Sequence, residues 1–581
     1  MNRIAAGCAA VVIGVSTLAL VPANADDMTA PTYTVYKVGF NGGEPSIGYD
    51  NKNNAAIYGA GLSMEKLTWD DSTDPPTYTN SAVPKPPSDV TTLDAITTVD
   101  PTTGTLFNSQ LAGVCSLMSY STDDGASWTQ SQGCGENTLL DHQSVGVGPF
   151  HAPLDANPVS SLAVYYCAQN GFNGACAVSL DGGRTFGPGR YAYNTPANAV
   201  NDPSQTIIAE GGACSALHGH LKVGPDGTAY LPVKGCGGTP SIENGTNTEF
   251  VGGRPAMSVS PDNGVTWTVN VVPGGFVKDG LGSKNPISNP DESDSNLSIS
   301  KPTAEHPAGV LYYTWENGVD PSDIANASTR QAMVTTFDPV TSKWGTPVDI
   351  SSAMIDPHTN LPLNNVMFPV VVSGDPERAV VAFLGTSQTK DDDSNPPGPH
   401  TTGDTQTNQF TKEAQPTDVW DMYVASTFDG GKTWSTVDAT PNDPVQLGCI
   451  DMQGTTIPPS NRQDVCSQRN LLDFNDITVD AQGRPIVAYS DGCEPSTDPT
   501  KAGCPEWTPA KSSGAVDKVL RLTSGRGLYA ANDGVLRGSG PGAVLPETPL
   551  AVLLPLAAAA AVGGTLAVRR RRSGLRVAAH Q

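Results

Sequence analysis

An eight-residue pattern occurs four times along the chain, as "STDDGASW" (Ser121–Trp128), "SLDGGRTF" (Ser179–Phe186), "SPDNGVTW" (Ser260–Trp267) and "TFDGGKTW" (Thr427–Trp434). Each copy opens on a hydroxyl residue, places an aspartate third and a glycine fifth, and ends on a hydroxyl residue followed by an aromatic. A degenerate copy, "TFDPVTSKW" (Thr336–Trp344), lacks the glycine. These residue types make a hairpin turn: the aspartate accepts backbone N–H bonds, the glycine permits positive φ, and the aromatic packs beneath. A chain that repeats one such turn must repeat one antiparallel unit, and that excludes most mixed and helical folds.

Hairpins precede the turns. "SVGVGPFHAPLDANPVSSLAVYYC" leads into the second copy, "HLKVGPDGTAYLPV" into the third and "FPVVVSGDPERAVVAFLG" into the fourth. "PSIGYDNKNNAAIYGAG", "ITTVDPTTGTLFNS" and "ITVDAQGRPIVAYSDG" are built alike, with alternating apolar residues around a turn of Asp, Pro and Gly. Seven such units begin near Glu44, Asp94, Asp141, His218, Asp294, Asn364 and Asp473. With Gly 61, Pro 49 and only 16% charged residues, long helices are not expected. The expected fold is all-β, a single β-propeller of four-stranded blades over residues 26–530, with seven blades and six as the alternative. "TYTVYKVGF" (Thr32–Phe40) is expected to be the N-terminal strand that closes the last blade, leaving no open edge.

The four turns resemble Asp-boxes, the turn motif of sialidase-like (BNR-repeat) β-propellers of the secreted bacterial type, and through the hairpins the resemblance covers most of the chain. It implies that the boxes join the third and fourth strands of their blades, away from the ligand face. They are therefore scaffold. The opposite face takes the loops between second and third strands and between blades, and these are the long ones: Lys234–Arg254, Glu316–Arg330, Thr386–Val419, Ser490–Val519, Gly187–Leu217 and Asp438–Asn470. Ten cysteines remain once Cys8 is set aside, and pairing sequence neighbours (115/134, 167/176, 214/236, 449/466, 493/504) gives five local disulfides at that face. A zinc ribbon is the rival reading, but CxxC pairs are lacking.

Inner strands begin at the ligand face, so their first residues ring the channel mouth: Glu44, Asp141, His142, Gln143, His218, His220, Asp294, Asn296, Asn364, Asn365, Arg469, Asp473 and Asp476. Phe150, His151, Tyr166, Trp315, Glu316 and Trp420 are expected nearby, the aromatics as platforms for sugar rings. Such polar residues equally serve to bind one another and water. Sialidases use an arginine triad against the substrate carboxylate, the first arginine in a Phe/Tyr-Arg-Ile-Pro segment. Here the early position reads "GEPSI", and a ring of carboxylates repels sialic acid. Hydrolysis of a neutral glycan by paired carboxylates would draw on Asp141, Asp294 and Asp473. The favoured reading is a binding module for an extracellular glycan or surface polymer, with Glu44, His142, Gln143, His218, His220, Trp315, Glu316, Trp420, Arg469 and Asp476 as ligand contacts. No cofactor is expected. A divalent metal on Asp141, His142, His218 and His220 is the minor alternative, and a structural envelope protein with no small ligand is a third reading.

The ends place the chain outside the cell. Residues 1–25 read as a signal peptide, with Arg3, an apolar run to Leu20 and "ANA" before the cut. Residues 531–549 form a linker carrying "LPETP", which resembles a cell-wall sorting signal, with Pro549 where that signal has glycine; the membrane anchor stands with or without processing by a sortase. Leu550–Val568 is an uncharged span long enough to cross a bilayer, and the basic tail 569–581 should remain cytoplasmic. Without Arg3 and the tail arginines, the exported part is still more acidic than the whole chain's −25. Nucleic acid is therefore not an expected partner, and a surface-displayed monomer is.

Overall fold

The computed structural model describes residues 30–73, 75–86, 95–111, 116–133, 141–151, 159–169, 173–194, 214, 218–236, 239–243, 247–251, 254–272, 296–317, 331–387, 419–447, 450, 470–493 and 515–533. Seven antiparallel blades of four principal strands make up the fold. The innermost strands are Ser46–Asp50, Ile96–Val99, Asp141–Pro149, Lys222–Val223, Asn296–Ile299, Asn365–Ser373 and Asp476–Val479, defining blades 1 to 7. Each touches the next in order, and the last touches the first, so the ring is closed. Seven is thus the blade number and the six-bladed alternative falls. Blade 7 takes its outer strand, Thr32–Asn41, from the N-terminus; Tyr33 stands opposite Leu522 and Lys37 opposite Lys518. Blade 4 carries an extra hairpin, Thr239–Glu243 with Asn247–Val251, between its second and third strands.

Blades pack face to face, so a middle strand has no solvent side. In blade 6, every residue of "NVMFPVVVS" and "AVVAFLGT" is buried, and each large aliphatic side chain contributes roughly 1.5–3 kcal/mol to that packing. The hydrophobic clusters accordingly fill the gaps between neighbouring blades, as where Tyr312 and Val334 of blade 5 meet Phe383 and Tyr423 of blade 6.

The four repeat turns join the third and outer strands of blades 2, 3, 4 and 6 and share one hydrogen-bond pattern. In "SPDNGVTW", the Gly264 N–H donates to Ser260 Oγ (2.9 Å), the Thr266 N–H to Asp262 Oδ1 (2.8 Å) and Thr266 Oγ1 to Asp262 Oδ2 (2.6 Å). Gly125, Gly183, Gly264 and Gly431 all hold φ between 79° and 87°, and the preceding residues are also positive, a left-handed pair that only Gly, Asn or Asp accepts cheaply. In the degenerate turn of blade 5, Asp338 still accepts from the Val340 N–H (2.9 Å), and Ser342 carries the positive φ instead. Replacing Asp262 with alanine strands three donors, Ser260 Oγ and the Thr266 N–H and Oγ1, and is expected to cost about 1–2 kcal/mol in a urea melt; an unchanged midpoint would assign the turn's stability to Gly264 and Trp267 alone.

Two ionic clasps lock the ring on the face of the turns. Asp71, beyond the third strand of blade 1, takes both guanidinium arms of Arg521 from blade 7 (2.8 and 2.9 Å) and also pairs with Arg484. Arg521 reaches buried Asp480 (2.8 Å) and lies over the Trp69 ring at 4.7 Å. Past blade 7, the segment to Asp533 crosses to blade 6, where Arg378 grips the Asp533 carboxylate with two bonds (2.7 and 2.6 Å).

Candidate functional site

The chain enters each innermost strand at the end of the ring opposite the repeat turns, which brings Glu44, Gln143, His220, Asn296, Asn365 and Asp476 to one mouth. Their chemistry there is largely inward. Gln143 Oε1 accepts from Ser109 Oγ of blade 2 (2.7 Å), and Asn296 Oδ1 accepts the Val371 N–H of blade 6 (3.1 Å). Asp476 accepts the Ile47 N–H of blade 1 and its neighbour Ile477 N–H, both at 2.9 Å. Polar residues therefore stitch blade to blade at the mouth, binding one another across the seams.

His220 does more. It leaves blade 4 and meets blade 7 across the axis, its ring 4.8 Å from Phe474 and edge-on, with Nδ1 3.8 Å from Asp476 Oδ1. Contact between blades on opposite sides of a seven-membered ring closes the channel at that level. Burial alone would raise the Asp476 carboxyl, but the His220 imidazole, the Lys222 ammonium and the Ile47 N–H overcome it and hold the group below the usual carboxylate value. The mouth is thus a bowl whose floor is His220, Phe474 and an ionised Asp476. Half-buried Asp473 stands beside that floor.

Backbone strain gathers at the same level. Among the described residues eight non-glycine positions have positive φ, and five are Asn, Asp or Ser in turns and bends. The other three are Glu44 (52°), Phe368 (54°) and Leu472 (59°), where each costs on the order of 1–3 kcal/mol. All three lie at the mouth end of blades 1, 6 and 7, and Phe368 lines a small cavity of about 10 Å³ with His220, Asn296 and Phe474.

Several expectations need correction. Trp315 and Trp420 are 1% exposed and belong to the packing between blades; both faces of a middle strand are covered, so neither is a platform for a sugar. Glu316 and Tyr166 are buried too. His218 and His220 do not converge: His218 is fully buried against Tyr193 of blade 3, with Nδ1 3.0 Å from the Gly219 carbonyl oxygen, whereas His220 points to the axis. The backbone of Asp141 and His142 opens the inner strand of blade 3, but their side chains, and the whole of Asp294 and Arg469, lie outside the described residues. Among the described residues no group of three acidic, histidine or cysteine side chains is arranged to hold a metal ion. Disulfides Cys167–Cys176 and Cys214–Cys236 are present and Cys493 is disulfide-bonded; the 115/134 and 449/466 pairs lie outside the described residues.

Sequence reasoning missed a second polar cluster on the mouth side, between blades 5 and 6. His358 Nε2 lies 2.7 Å from Asp421 Oδ2, and Asp356 accepts from the Ser387 N–H and Oγ, both at 2.8 Å. Asp421 is 1% exposed, and its second oxygen, like Asp438 Oδ2 and the Tyr423 hydroxyl, has no hydrogen-bond partner among the described residues. Burial and the neighbouring Asp438 charge, against the pull of His358, raise the Asp421 carboxyl to about 7; burial raises Asp438 to about 6. The signal was an aspartate inside the unbroken apolar strand "VWDMYVAST". In blade 7, Lys518 similarly bridges Asp491 (2.5 Å) and Asp443 (3.0 Å).

No protein-family model and no curated protein matches the chain. Among solved structures it is similar to the Hadza microbial sialidase Hz136 (13% identity over 77% of this chain and 63% of that one, TM-score 0.30). It is also similar to an α-L-arabinanase of Penicillium chrysogenum (11%, 61% and 93%, TM-score 0.34) and to the six-bladed lectin of Aleuria aurantia (10%, 72% and 97%, TM-score 0.32). Likeness of this degree carries no inference about ligand or activity.

Proposed function

We propose that this chain is an exported, membrane-anchored propeller of the sialidase-like Asp-box kind that binds a neutral or cationic extracellular glycan at the channel mouth. The observation that supports it most is the coincidence of strain and charge there: Glu44, Phe368 and Leu472 hold unfavourable backbone conformations around an ionised, buried Asp476. Strain of that kind persists where a site is held rigid for a ligand. The acidic bowl disfavours sialic acid, and the six long connections predicted from sequence to surround it would supply the remaining contacts. Anchoring rests on Leu550–Val568, outside the described residues; among those described, no helix is long and apolar enough to cross a membrane.

A glycoside-hydrolase reading draws support from Asp421, whose carboxyl is raised to about 7 and so keeps part of its proton near neutrality as a general acid must, beside Asp438, raised to about 6. A glycan array run beside a fluorogenic glycoside panel on the purified chain separates the two. Binding to neutral glycans without turnover, weakened about tenfold or more by Asp473→Asn at an unchanged melting temperature, is the expected result. Turnover of a neutral glycoside that Asp421→Asn abolishes would establish the hydrolase, and turnover of a sialoside would overturn the charge argument.

A further inference from the structure

Below the His220–Phe474 contact the channel reopens toward the repeat turns as a cavity of about 330 Å³, the size of a small-molecule site. The chain has 58 acidic residues against 33 basic. Among the described residues, the lining of this cavity nevertheless carries two lysines, Lys222 and Lys301, and no carboxylate. We propose that this half of the channel binds a small oxyanion (sulfate, phosphate or a carboxylate) between the Lys222 and Lys301 ammonium groups.

Lys222 projects from the short inner strand of blade 4, and Lys301 follows the inner strand of blade 5, so adjacent blades supply the two charges. Neither ammonium has an ion-pair or hydrogen-bond partner among the described residues. Asp476 exerts its field on Lys222 from above, but its two oxygens are occupied by the Ile47 and Ile477 N–H groups. Lys301 Nζ rests 3.2 Å from the Tyr529 ring centroid, a contact that positions a cation without neutralising it. Partial burial pulls the Lys301 ammonium below its usual value, and the Asp375 charge nearby offsets this only in part. The wall adds neutral donors: Ser298 and Ser373, whose hydroxyls are 2.9 Å apart, together with Thr98 and Thr478. Two ammonium groups, one of them held over the Tyr529 ring, and a set of hydroxyls along one channel wall are the chemistry that selects an oxyanion over a neutral solute.

The test is a calorimetric titration of the full-length protein with sulfate, phosphate and acetate in parallel at constant ionic strength. The expected result is saturable binding of at least one of the three, weakened about tenfold or more in Lys222→Met and to a smaller degree in Lys301→Gln. The three arms show whether a tetrahedral anion or a carboxylate is preferred. Absence of saturable heat from all three with the wild-type protein, or unchanged affinity in both variants, overturns the proposal. Should Lys222→Met not fold, Lys301→Gln, at the rim of the cavity, decides alone. Since this cavity lies on the far side of the channel closure from the mouth, Asp473→Asn should leave anion binding intact, and failure here leaves the glycan reading standing.

Discussion

Replacing Arg521 with methionine should lower the unfolding free energy by about 3–5 kcal/mol, the largest single-residue loss expected in this chain. The guanidinium is 2% exposed and joins Asp71 of blade 1 to Asp480 of blade 7 while covering Trp69. Removing it leaves Asp480 buried, with Arg484 at 3.6 Å as its remaining cation. The site matters beyond its charges because blade 7 is assembled from both ends of the described chain, and Arg521 sits in the strand that pairs with Thr32–Asn41. Loosening that seam exposes two sheet edges together. Denaturant melts should show the lower midpoint, and hydrogen exchange should quicken in Thr32–Asn41 before any other strand. Arg521→Lys, keeping the charge but not the two-armed grip on Asp71, should recover only part of the loss. A change below about 1 kcal/mol in the methionine variant would place the clasp among ordinary surface pairs.

Residues that act locally were readable before the fold was known. The repeat turns need only their own eight residues, since hydroxyl, aspartate and glycine satisfy one another within the turn, and the hairpins announce themselves by alternation. The closing strand followed from the need of a ring to leave no open sheet edge, with "TYTVYKVGF" ahead of the first unit as the segment able to cover it. What failed was direction. Trp315 and Trp420 lie at the mouth end of their strands, as expected, but a blade is covered on both faces, so position along a strand says nothing about exposure. His218 and His220 share a parity that would put both on one face of a regular strand. The irregular bridge of His218 to Val233, ahead of the two-residue inner strand, turns them apart. Asp421, Asp517 and Lys518 escaped notice because a charge next to a loop reads as a strand end, whereas each is enclosed by a neighbouring blade or connection. Charges within "VWDMYVAST" and "VDKVLRLTS" are the signal that could have marked them.

Those enclosed carboxyls should make the protein less stable as pH rises from about 5 to 8. Asp421 and Asp517 are raised to about 7 and Asp438 to about 6, in each case chiefly by burial. In the unfolded chain each titrates near 4. Between these values the folded state holds more protons than the unfolded one, so the stabilisation is complete at and below pH 4 and fades as pH climbs through 6 to 7. The slope is about 1.4 kcal/mol per pH unit for each extra proton held. Asp421 and Asp438 repel one another, and His358 and Asp356 face both, so that pair should release its protons over a broad range rather than in one step. The repeat-turn aspartates act in the opposite sense. Hydrogen bonds from Thr185, Thr266 and Thr433 outweigh partial burial and hold Asp181, Asp262 and Asp429 below the ordinary value, and bonds from Ser127 and Ser121 do the same for Asp123. Their contribution is present above pH 4 and is lost in stronger acid. Stability should therefore peak in mild acid, between the two sets. Melts at pH 5 and pH 8 on the wild type and on Asp421→Asn provide the measurement: the variant, unable to ionise, should show a shallower decline and gain on the wild type at pH 8. General repulsion in so acidic a chain would tilt both profiles alike, so it is the difference between them that isolates Asp421. Parallel profiles would mean that this carboxyl is ionised in the folded protein, with His358 as a sufficient counter-charge.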